Sequence, residues 1–119
     1  MSALKLLNRE SVKKDQNVLN PHRSDLEKIA ERGHAEDVDF LMSFLFKEQT
    51  FAYGKLIDFV LSLVTTVSGR KRIRFYLFHG NQIQRNYAAL YLKRLGNQKR
   101  ILKVAVERGC IDTDQAFSE

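Results

Sequence analysis

FAYGKLIDFVLSLVTTV, residues Phe51 to Val67, carries its apolar side chains at a helical period. At about 100° per residue, a helix through it gathers Ala52, Tyr53, Leu56, Ile57, Phe59, Val60, Leu61, Leu63, Val64 and Val67 on an arc roughly 200° wide. Lys55, Asp58, Ser62, Thr65 and Thr66 form the remaining polar strip. An arc that wide needs partners on at least two sides, so the segment predicts a buried helix wrapped by others. It extends from about Thr50 to Gly69. Lys55 and Asp58 interrupt it, and it is too short for a membrane span. No membrane contact is expected.

Upstream, Ser24 with Glu27 three residues later matches a capping box. A helix is expected from there to Arg32, closed by Gly33. A second runs from about Ala35 to Lys47, with Val38, Leu41, Met42 and Leu45 inward. The short connection between them favours a helical hairpin. Residues 1–20 show no sustained period and read as a flexible arm, leaving residues 21–119 as a single helical domain.

Downstream, residues 70–78 (RKRIRFYLF) fit two patterns. As a strand, Ile73, Phe75 and Leu77 alternate with polar neighbours. As a helix, Ile73, Tyr76 and Leu77 share a face. A lone strand in a helical chain has nothing to pair with, which favours the helix. Asn81 is a good N-cap for a helix Gln82–Leu95 burying Ile83, Tyr87, Leu90, Tyr91 and Leu95. Ala88 and Leu92 broaden that face; Arg85, Ala89 and Lys93 line the opposite one. Gln98–Arg108 follows after Gly96-Asn97, with Ile101, Leu102, Val104, Ala105 and Val106 inward. Gly109 closes it, and Asp112 or Thr113 caps a last short turn. The fold class is therefore all-α, with five or six helices as stacked hairpins or an orthogonal bundle.

One proline and six glycines in 119 residues are too few for the turns of an all-β chain. The lone cysteine, Cys110, precludes an internal disulfide and fits a reducing cytoplasm. Cys110 lacks a positioned base in the sequence and reads as a small packing residue. His34 with Glu36, Asp37 and Asp39 reads as a solvated helix start, its acids facing the positive end of the dipole, rather than as a metal site. His22 and His79 fit loops. Lys55 and Asp58 read as a local ion pair. No phosphate loop, dinucleotide turn or nucleophile elbow is present, so no catalytic residue, cofactor or metal is assigned and no enzyme is expected.

Charge is the strongest functional signal. Residues 1–69 hold nine Lys/Arg and ten Asp/Glu, a balance of −1; residues 70–119 hold eleven and four, a balance of +7. Between Arg70 and Lys103 there are ten bases and no acid. Three clusters stand out: Arg70, Lys71, Arg72 and Arg74; Arg85 and Lys93; and Lys99, Arg100 and Lys103. Such a surface asks for an acidic partner: an acidic protein surface, the acidic residues 25–48 of a second copy in a homo-oligomer, or nucleic acid held by its phosphates. For nucleic acid, Tyr76 and Phe78 are candidate stacking rings.

Two octets, Leu26–Gly33 (LEKIAERG) and Leu102–Gly109 (LKVAVERG), align 76 positions apart, and glycines expected to end helices fall at 33, 69 and 109. Ile29–Leu41 (IAERGHAEDVDFL) resembles the inner helix, Gly-His turn and outer helix of an ankyrin repeat, without the Thr-Pro-Leu-His start and β-turn finger of that family. Arg85–Gly96 (RNYAALYLKRLG) is similar to the second half of a HEAT helix. The resemblance implies helical hairpins stacked into a binding surface, with no catalytic residue.

Overall fold

The computed structural model describes residues 22–117, with the side chains of all of them except residues 47–51. The expected N-terminal arm lies outside that range. Among the described residues there are seven helices and no strand: α1 Arg23–Arg32, α2 Ala35–Met42, α3 Lys47–Leu61, α4 Val67–His79, α5 Gln82–Leu95, α6 Lys99–Glu107 and α7 Thr113–Phe117.

α1 starts earlier than its capping box suggests. The amides of Asp25 and Leu26 both donate to the His22 carbonyl, at 3.1 and 3.2 Å. Ser24 is thus inside the helix, and Glu27 pairs with Arg23 one turn away at 2.9 Å. Leu26, Ile29 and Ala30 face the core. The expected stop at Gly33 holds, with φ at +68° in the left-handed region glycine favours.

α2 ends at Met42 rather than near Lys47. The carbonyls freed there are taken up by α5: Gln84 Nε2 donates to Met42 O at 3.0 Å, and Asn81 Nδ2 to Leu45 O at 3.1 Å. Asn81 and Gln84 also cap each other reciprocally at the start of α5, at 2.8 and 2.9 Å. One pair of side chains therefore satisfies both helix ends.

The expected single helix from Thr50 to Gly69 breaks after Leu61. Val64, Thr65, Thr66 and Val67 are four consecutive β-branched residues, which lose side-chain freedom in a helix. Thr66 instead adopts an extended backbone and caps α4. The Val64 carbonyl, released from helical bonding, accepts the Tyr91 hydroxyl. Burial follows the break. Ile57, Val60, Leu61 and Val64 are fully buried, while Phe59 is 39% and Val67 72% exposed. Ala52 is exposed too, so the apolar arc is narrower than the sequence suggests.

The helical reading of residues 70–78 holds: they lie within α4, with Ile73 and Leu77 buried. α5 has the expected bounds, but its buried face centres on Ala88, Ala89, Tyr91 and Leu92, so Ala89 points inward. α6 buries Leu102 and Ala105. Asp112 caps α7, where Gln115 N donates to Asp112 Oδ1 at 2.8 Å. The helices share one apolar cluster. α5 touches α3, α4, α6 and α7, so it occupies the centre that residues 51–67 were expected to hold.

Thr66 ties the two halves together. Its Oγ1 donates to Gly33 O at 2.6 Å and accepts from Gly69 N at 3.0 Å. Gly69 does not end a helix; it is buried in the first turn of α4. The even spacing of terminal glycines is lost with it.

Candidate functional site

Helix dipoles favour acids in first turns. α4, α5 and α6 have none there, and α4 and α6 open with cations instead: Arg70 follows immediately on the first turn of α4, and Lys99 and Arg100 lie in that of α6. The positive ends of two helices are thus reinforced by side-chain charge.

Several of the charges are engaged within the fold. Asp37 is not a solvated helix start. It is buried and takes both Arg32 Nε, at 2.9 Å, and Nη2, at 2.7 Å. Asp39 accepts Arg72 Nε at 2.7 Å and the Tyr76 hydroxyl at 2.8 Å. Asp58 does not pair with Lys55; both its oxygens accept Arg94 Nη1 at 2.9 Å. Arg85 donates to two backbone carbonyls, Cys110 O at 2.6 Å and Gly80 O at 2.9 Å, and so bridges the end of α4 to the turn before α7.

Burial first, and donation to Asp39 second, push the Tyr76 phenol up to about 12 from an ordinary 10.0. A raised pKa favours the folded state fully below the unfolded value, and that advantage is lost as pH climbs through the folded one. Stability is therefore expected to fall between about pH 10 and pH 12. Tyr76→Phe should flatten that fall; equal slopes for both proteins in urea unfolding across that range would refute the assignment.

Five of the nine cations singled out in the sequence, together with Arg94 and Arg108, border three adjoining depressions around the end of α5. A groove of about 540 Å³ between α4 and α6 has Phe78, Ile101 and Val104 on its walls, with Arg74, Arg100 and Arg108 beside them. A second, of about 500 Å³, runs from Lys93 and Arg94 past Lys99 to Phe117. It shares Asn97 and Gln98 with the groove. A third, of about 160 Å³, lies between α3, α4 and α5 and holds Asp58, Arg70 and Arg94. Lys71 and Lys103 are exposed outside all three. Of the nine cations singled out in the sequence, Arg74 and Arg100 meet in the first groove, Lys93 and Lys99 in the second, and Arg70 stands in the third. Arg72 and Arg85 are committed to internal partners.

Arg94 and Arg108 escaped the sequence reading. Glu107 ends the acid-free run just before Arg108. Neither ring proposed for stacking is bare: the Arg108 guanidinium lies 5.3 Å over Phe78, and Tyr76 is tied to Asp39. Cys110 is half-buried, its sulfur 3.9 Å from Phe78 O. His34 precedes α2, His22 precedes α1, and His79 ends α4, its ring 4.7 Å from that of Phe75. Among the described residues, no three His, Cys, Asp or Glu gather as metal ligands, and no helix is long and apolar enough to cross a membrane. No protein-family model, curated protein or solved structure matches the chain.

Proposed function

We propose that the chain is a non-catalytic interaction module, a short array of helical hairpins in the manner of HEAT and ankyrin proteins, that grips an acidic segment of a protein partner. The observation that carries this reading is the groove between α4 and α6, where apolar side chains lie beside three arginines. Apolar walls suit a partner that brings leucine-like side chains, and the arginines suit its acids. The positive end of α6 adds to the same potential.

Nucleic acid is the weaker fit. It would use the cations, but Tyr76 is tied to Asp39 and the aliphatic walls of the groove, Ile101 and Val104, would find no partner in it. A second copy is also disfavoured, because Asp37 and Asp39 from the acidic half are already paired within the chain.

The test is fluorescence anisotropy with an end-blocked peptide of Glu and Leu at helical spacing. At about 0.2–1 kcal/mol per exposed charge, the triple variant Arg74→Gln, Arg100→Gln, Arg108→Gln should weaken binding about tenfold. Unchanged affinity would remove the groove from consideration. Tighter binding of single-stranded RNA than of the peptide, lost in the same variant, would favour nucleic acid instead.

A further inference from the structure

The cavity between α3, α4 and α5 is smaller and more enclosed than the groove. Its volume of about 160 Å³ leaves room for a small ligand or several waters. Among its residues, Arg70 stands out: its Nε is buried and has no hydrogen-bond partner. Buried donors are seldom left unpaired, because an unmade bond forfeits the solvation lost on burial.

Neighbouring oxygens are turned to other partners. Both oxygens of Asp58 accept Arg94 Nη1. The Val64 carbonyl accepts the Tyr91 hydroxyl, and Ser62 Oγ donates to Phe59 O. Arg70 also sits at the positive end of α4, with no acid in that first turn. Two guanidinium groups and one carboxylate leave the cavity with one net positive charge.

We infer that this cavity binds a carboxylate, with Arg70 as its principal donor and Arg94 as the second. The flat guanidinium fork matches a carboxylate edge. The charge count selects the class: a single negative charge balances the site, whereas a phosphate monoester, at about −1.5 to −2, would be repelled by Asp58. The carboxylate can belong to a free small acid or to a Glu or Asp side chain of a partner. The site stands on its own residues and survives failure of the groove reading.

The experiment replaces chloride with acetate at constant ionic strength and follows the melting temperature. Acetate should raise it in the natural chain. In Arg70→Met, which removes an unpaired donor and a cation from a helix start, folding should be retained and the apparent dissociation constant for acetate should rise at least about tenfold. Arg70→Lys, which keeps the charge but not the fork, should lose most of the response as well. Arg100→Gln, in the groove, should keep it. No acetate effect in the natural chain, or an undiminished effect in both Arg70 variants, would overturn the proposal. A larger effect of inorganic phosphate than of acetate would overturn the assignment to carboxylates. Weaker binding of the Glu/Leu peptide by Arg70→Met would support a partner side chain as the source, and unchanged peptide binding with a lost acetate effect would support a free acid.

Discussion

Asp37→Ala should destabilise the chain by about 3–5 kcal/mol, the range for breaking a buried ion pair from one side. The carboxylate is 3% exposed and holds three donors. Two are the Arg32 nitrogens, and the third is the His34 amide at 3.0 Å. Removing it leaves a mostly buried guanidinium without its counter-ion and an amide at the start of α2 without an acceptor. The loss falls on the joint between α1 and α2. Urea unfolding reads it directly, and a loss under about 1 kcal/mol would mean that the pair is effectively a surface pair. Arg32→Met should cost less, because Asp37 keeps its amide bond and can draw on water.

Gly69→Ala should cost about 2–3 kcal/mol, at the upper end of overpacking penalties. A Cβ there would lie 2.5 Å from Val64 Cγ1, 2.8 Å from the Gly33 carbonyl oxygen and 2.8 Å from Thr66 Oγ1. Two of the three are fixed by the hydrogen bonds of the Thr66 joint, so neither can yield without breaking it. Helix propensity pulls the other way, since alanine gains about 1 kcal/mol over glycine inside a helix. A variant as stable as the natural chain, by thermal unfolding, would show that the joint relaxes freely.

The sequence disclosed helices where punctuation and period agreed. Asn81 and Gly96 bracket α5, and Gly33 closes α1, because capping chemistry is local. It misled across residues 61–67, where apolar side chains keep a helical period straight through a corner. The contrary signal was present in the β-branched run Val64–Val67, but periodicity drowned it. On α5 the sequence placed Ala88, Tyr91 and Leu92 on the buried face, as the structure has them, but put Ala89 on the opposite one, because large apolar residues dominate a periodicity argument.

The basic surface was legible as composition. Its geometry was not. Arg72 finds Asp39 across 33 residues, and Arg94 finds Asp58 across 36. Such pairings depend on how α2 meets α4 and how α3 meets α5. Only after those cations are set aside do Arg74, Arg100 and Arg108 stand out as a group. Asp58, Ser62 and Thr65 of the polar strip line a cleft, which the reading of Lys55 and Asp58 as a local ion pair did not anticipate.

The Thr66 joint also bears on how the molecule meets its surroundings. It locks the C-terminal end of α1 to the N-terminal end of α4, with no room for a methyl group at either glycine. Residues 25–46, with six acids and two bases, and residues 70–108, with eleven bases and one acid, are thereby held in a fixed relation, giving the protein a standing electric moment. In dilute salt, such a body turns in the field of an acidic surface before it touches, so it arrives with its arginines leading.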